Sequence, residues 1–139
     1  MLTARWVRRW GPAVVAGLYL LSMVLPAIDQ GPSDPPFPSG EALGFQVTFL
    51  GGILLLATGL PQMIPVLANP VHWIGWVLLV CGRRRGAAVA GILGLLLALS
   101  ALFMPMGTLL IGYYVWLISM AALAVAGLVG RKAVVEKPA

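Results

Sequence analysis

Asn69, His72 and the Tyr113-Tyr114 pair are the side chains of this chain best equipped for chemistry. An imidazole exchanges a proton near neutral pH or ligates a metal. An amide and a phenol orient a polar ligand. If Pro65 opens a helix, Ala68, His72, Gly75, Leu79 and Gly82 share one face, and its small residues predict that it looks into protein. His72 then lies roughly 10 Å along that helix at 1.5 Å per residue. Tyr113 sits at a similar depth counted from Thr108, so Asn69, His72 and Tyr113 or Tyr114 can gather in one half of a helical bundle. The simplest role for that group is structural: a neutral imidazole hydrogen-bonded to a tyrosine or a carbonyl costs little to bury. A redox role around His72 and Tyr113 is the alternative. Haem would then need a second chain, because one histidine cannot supply two axial ligands.

Other chemistry has less behind it. Met63, Met104 and Met106 carry thioethers that bind copper(I), but no His or Cys joins them, and a Met-Pro-Met turn serves as gap filling. No metal site and no catalytic residue is predicted. No long apolar run contains Asp, Glu, Lys or Arg, where proton-coupled pumps usually place one. No Ser/His/Asp set, HExxH motif or phosphate-binding glycine loop is present.

The elements that hold these residues are membrane spans. Of 139 residues, 60% are hydrophobic and 9% charged, against roughly 25% charged in soluble domains. All nine Lys and Arg fall in three clusters: Arg5/Arg8/Arg9, Arg83/Arg84/Arg85 and Arg131/Lys132/Lys137. Cytoplasmic loops collect such residues. The net charge of +5 does not indicate a nucleic-acid partner, because each cluster flanks an apolar run and no continuous basic face with base readers exists. Asp29, Asp34 and Glu41 share a base-free segment that can be translocated. The single cysteine, Cys81, excludes an intrachain disulfide and is expected on the reducing side.

These features predict an all-α fold: an integral membrane four-helix bundle with an additional outer-side re-entrant or half helix, forming one domain over residues 1–139. The spans are about 12–27, 65–82, 86–103 and 108–130, with an outer loop at 28–42 and the re-entrant or tilted helix at 43–60. The absence of a small-x-small site near Ala27 predicts a retained signal anchor. Parity decides the middle. If the first two basic clusters share a side, residues 43–82 cross once. Pro65 to Gly82 leads straight into the arginines and is the preferred crossing. The alternative lets 43–67 cross and lays 70–82 along the inner surface, but Val71 to Val80 lacks the polar face an interfacial helix needs. Both termini are then cytoplasmic.

Ala87, Gly91, Gly94, Ala98 and Ala101 form a small-residue seam, and Gly112, Ser119, Ala122 and Ala126 form a second. Small residues let helices approach closely in lipid, within the chain or against a partner. Trp6 and Trp10 suit an interfacial belt beside Arg5 to Arg9. Trp73 and Trp76 are expected to touch lipid or a partner.

Several blocks resemble a group of small bacterial inner-membrane proteins without an assigned activity. They are Leu21-Ser22-Met23-Val24-Leu25-Pro26-Ala27, Leu67-Ala68-Asn69-Pro70, Gly82-Arg83-Arg84-Arg85, Leu97-Ala98-Leu99-Ser100 and Gly112-Tyr113-Tyr114-Val115-Trp116-Leu117-Ile118-Ser119-Met120. The resemblance covers most of the chain. It implies a bacterial inner-membrane setting and brings no functional residue.

The expected function is that of a small non-catalytic accessory or structural subunit packing against a larger membrane complex, with membrane lipids and other membrane subunits or self-association as partners. No cofactor is predicted. A homo-oligomeric transporter or pore is the alternative, and a quinone- or haem-contacting redox subunit the second alternative.

Overall fold

In a computed structural model, residues 2–29, 41–58, 61–103 and 108–135 are described. The fold is mostly helical: α1 is Leu2–Val24, α2 Gly44–Thr58, α3 Ala68–Val80, α4 Arg84–Leu99 and α5 Ile111–Val135. A 3-10 segment, Pro61–Leu67, leads into α3, and another, Ser100–Phe103, prolongs α4. The stretches Arg84–Phe103, of 20 residues, and Ile111–Val129, of 19, are long and apolar enough to cross a membrane.

The all-α expectation needs one correction. Three short strands, β1 (Pro26–Asp29), β2 (Glu41–Leu43) and β3 (Thr108–Leu109), form an antiparallel sheet in the order β2-β1-β3. The first helix therefore ends at Val24 rather than Ala27. Pro26 has no N–H to continue the ladder and disfavours helical backbone at Leu25. The last helix begins at Ile111, not Thr108, because Thr108 and Leu109 pair with Asp29 and Ile28. Gly44 N–H donates to Leu25 O at 3.0 Å, and a Cβ on Gly112 would lie 2.7 Å from Pro26 O. Two glycines thus let α2 and α5 start directly against the carbonyls at the end of α1.

Four helices form the body. Helix α5 lies between α1 and α4, and α3 packs on α4 and also touches α5 and α1. The hairpin of α4 and α5 is in backbone contact. A Cβ on Gly91 would stand 2.5 Å from Ala124 N, and one on Gly127 would stand 2.5 Å from Ala88 N. Ala87, Gly91, Gly94, Ala98 and Ala101 are all buried, as are Gly112, Ser119 and Ala126, with Ala122 partly buried, so both small-residue seams pack largely inside the chain. Helix α3 buries Ala68, Asn69, His72, Gly75 and Leu79. It packs as a member of the helical body. Helix α2 stands apart: it meets α1 through Gly44 and Thr48 and otherwise packs mainly on the 3-10 segment.

Long-range hydrogen bonds give the helix directions. Trp76 Nε1 donates to Pro12 O at 2.9 Å, and Arg84 Nη1 to Ala126 O at 3.4 Å. At the other end, Tyr113 Oη donates to Ala98 O at 2.9 Å and Asn69 joins Tyr19 and Trp116. Helices α1, α3, α4 and α5 therefore alternate in direction. The start of α1, the α3–α4 turn and the end of α5 share one end; the sheet caps the other. Side chains of Arg5, Arg8, Arg131 and Lys132 lie outside the described set, as do Met104 and Met106 and the side chain of Met63. The α3–α4 turn is a Schellman motif: Gly82 N–H donates to Leu79 O and Arg83 N–H to Leu78 O, with Gly82 at φ 76°. Glycine adopts that left-handed conformation without a Cβ clash.

Candidate functional site

The polar centre of the bundle is organised by Asn69, at the second position of α3. Its Oδ1 accepts two hydrogen bonds at 3.0 Å, from Tyr19 Oη on α1 and Trp116 Nε1 on α5. An indole N–H can only donate, so the amide oxygen must face it. Asn69 Nδ2 turns the other way, to Thr48 Oγ1 on α2 at 3.4 Å, and Thr48 donates to Gly44 O at 3.0 Å. One amide side chain thus ties four helices together. Ser22 and Ser119, both fully buried, return their hydroxyls to Tyr19 O and Trp116 O, which satisfies them locally.

His72 lies one turn further along α3 and is 1% exposed. Its ring stacks on Tyr19, with centroids 4.6 Å apart and planes 12° from parallel. Among the described residues, His72 Nδ1 is the buried side-chain nitrogen or oxygen left without a hydrogen bond. Trp73 packs edge-on against Tyr19 and against Trp76. Trp76 carries its N–H inward to Pro12 O, so it contributes to the α1–α3 contact instead of serving only an outer surface.

Asn69 and His72 therefore meet, but the tyrosine that joins them is Tyr19. Tyr113 is buried and bonded to Ala98 O, and Tyr114 is exposed beside it. Tyr19, Thr48 and Trp116 escape a reading of the sequence centred on α3. One signal was present: Val15, Tyr19 and Ser22 follow the four-then-three spacing of a single helix face, and all three are buried.

Between this hub and the sheet lies a cleft of about 50 Å³. Pro65, Val66, Ala27, Ala101, Tyr113 and Trp116 are among its walls. Asn69 and Tyr113 already hold partners within the protein, so the space offers chiefly apolar surface. Below the hub the core is shut. Val15, Leu79, Met120 and Leu123 are each at most 2% exposed, and they belong to two packed clusters that fill the bundle down to Ala126.

The imidazole acts here as a flat, buried plate. His72→Phe is expected to keep the stack on Tyr19 and remove the orphaned nitrogen, at a cost of no more than about 3 kcal/mol for the larger ring. Thermal unfolding in detergent measures this. A loss well beyond that overpacking cost would mean that Nδ1 has an essential partner.

No known protein family, curated protein or solved structure is matched by the chain. The fold and the site define a mostly helical protein with two helices able to span a membrane and a polar hub enclosed by apolar surface.

Proposed function

We propose that this is a small non-catalytic integral membrane protein that acts as an accessory or structural subunit of a larger membrane assembly. The observation that carries the reading is the closed interior. The hub side chains bond to one another, both small-residue seams are consumed within the chain, and Val15, Met120 and Leu123 block any axial path. What remains to be offered is an apolar exterior. Helix α2 exposes Phe45, Phe49, Leu50, Ile53 and Leu56, the last by 90%, and soluble monomers seldom expose continuous apolar surface on that scale.

The membrane arrangement that fits best has four crossings. Helix α2 has 15 residues and is about 22 Å long at 1.5 Å per residue, short of a hydrocarbon core about 30 Å thick. Helix α3 with its 3-10 segment, 20 residues from Pro61 to Val80, reaches about 33 Å. The reading is thus crossings by α1, α3 with its 3-10 extension, α4 and α5, and a half helix α2 on the outer side. Alternating directions collect the basic clusters at one end, which the orientation rule assigns to the cytoplasm together with both termini. The resemblance to small bacterial membrane proteins favours an inner-membrane location.

The cleft beside the 3-10 segment speaks for the transporter alternative, but its floor is closed. It is also small for a redox cofactor. An apolar cavity of about 150 Å³ accommodates benzene, and this cleft is about 50 Å³; a quinone ring or haem requires it to open.

Purification from native membranes in mild detergent tests the reading. The expected result is a stoichiometric complex with a larger membrane protein, stable through size-exclusion chromatography. A symmetric assembly of this chain alone would favour the transporter alternative, and a lone monomer would remove support for both.

A further inference from the structure

We propose that the basic end of the bundle, presented by Arg9, Arg83 and Arg85, is a docking surface for the headgroup of an anionic phospholipid. The inference rests on the membrane reading above and names the lipid class that this end selects.

The fold concentrates charge. The Trp76–Pro12 and Arg84–Ala126 hydrogen bonds bring the start of α1, the α3–α4 turn and the last turns of α5 to one end. The described acidic residues, Asp29 and Glu41, are register partners in the β1–β2 ladder at the opposite end. Arg84 is half-buried and turned toward Ala126 O, while its neighbours Arg83 and Arg85 are exposed on either side of it. The orientation rule asks only for Lys and Arg on one side. It does not require two displayed guanidiniums around an inward third.

The local helix geometry adds to the attraction for an anion. Arg83, Arg84 and Arg85 occupy the start of α4, whose first turn has no acid and no side-chain cap. Cations at the positive end of a helix dipole repel it. A phosphate beside Arg83 or Arg85 reverses the sign of that interaction, and a guanidinium binds phosphate through paired N–H donors.

The same end is built for an amphipathic ligand. Trp6 and Trp10 are exposed, and the Arg9 guanidinium lies 5.7 Å from the Trp10 ring centroid. Indoles favour the headgroup level. Beyond the turn, Val77 and Val80 on α3 and Val89 and Ile92 on α4 are exposed, giving acyl chains an apolar surface below a phosphate held at the arginines. A soluble anion would use only the charges; a phospholipid uses both features.

The test uses the full chain, purified in dodecyl maltoside and stripped of native lipid. It is mixed with equal amounts of dioleoyl-phosphatidylglycerol and dioleoyl-phosphatidylcholine, and bound lipid is counted by native mass spectrometry. Phosphatidylglycerol is expected to exceed phosphatidylcholine at least about 25-fold, roughly fivefold for each of the two cations. R83Q/R85Q should lower its retention about 25-fold, roughly fivefold per cation, while R83K/R85K retains most of it. Phosphatidylcholine binding should not change. A shared unfolding temperature checks that the variants are folded. Equal retention of both lipids, or phosphatidylglycerol binding untouched by R83Q/R85Q, overturns the proposal. Complete displacement by excess inorganic phosphate also overturns it, in favour of a free-anion site. Failure of the membrane reading is seen separately, as release of the protein from native membranes by an alkaline carbonate wash.

Discussion

Replacing Asn69 with leucine is expected to destabilise the bundle by about 2–6 kcal/mol, counting about 1–3 kcal/mol for each of the two donors left without an acceptor. Leucine keeps the branching and number of heavy atoms and is the larger side chain, so no void opens and the loss comes chiefly from hydrogen bonds. Tyr19 Oη and Trp116 Nε1 both donate to Asn69 Oδ1, and Tyr19 is only 3% exposed. Tyr19 cannot turn to water, and Trp116 is partly buried. Thr48 loses the donation from Asn69 Nδ2 but keeps its own bond to Gly44 O, so it contributes less. A lower apparent unfolding temperature in detergent is the measurement. The specific signature is a double-mutant cycle. Adding Tyr19→Phe removes one of the orphaned donors, so N69L/Y19F should be less destabilised than the sum of the single variants, by about 1 kcal/mol or more. Strict additivity would show that the Tyr19–Asn69 bond contributes nothing.

Gly91→Leu should be at least as damaging, costing more than about 3 kcal/mol, because the obstacle is backbone and the usual overpacking cost of 1–3 kcal/mol assumes side chains that can yield. Even a Cβ at this position would lie 2.5 Å from Ala124 N and 2.7 Å from Ala124 Cα. Accommodating leucine requires α4 and α5 to separate along their whole contact, which strips the packing of Ala87, Ala98, Met120 and Leu123 together. In the membrane setting proposed above, no hydrophobic force draws the helices back, since separated faces are covered by equally apolar chains. The expected result is loss of the folded species in size-exclusion chromatography. Gly52→Leu is the control: nothing lies within 4 Å of a Cβ at Gly52, so that variant should behave like the parent. Similar behaviour of both variants would refute close helix approach as the reason for glycine at position 91.

How much of the site could be read in advance follows from the range of the forces involved. Asn69 and His72 stand out because polar residues on a face of Ala and Gly are rare in an apolar chain, and that is a property of α3 alone. Their partners Tyr19, Thr48 and Trp116 are separated from Asn69 by 50, 21 and 47 residues. Which tyrosine reaches the amide depends on how each helix is rotated about its axis. Tyr113 and Tyr114 had suitable depth, but α5 turns Tyr113 toward Ala98 O and Tyr114 outward. The strands escaped for a different reason. They are four, three and two residues long, too short for an alternating pattern to declare itself, and their pairing exists only because the helix ends converge.

By itself, the sequence determined the apolar runs, their proline and glycine punctuation and the three basic clusters. These are one-dimensional patterns, set by transfer free energy and backbone geometry at each residue, and they suffice for helical content. Only the tertiary structure decided that both small-residue seams face inward, that one asparagine joins four helices and that α2 stands outside the bundle. Those outcomes depend on helix rotation and close approach, where a few tenths of an ångström at Gly91 or Gly127 separate contact from collision.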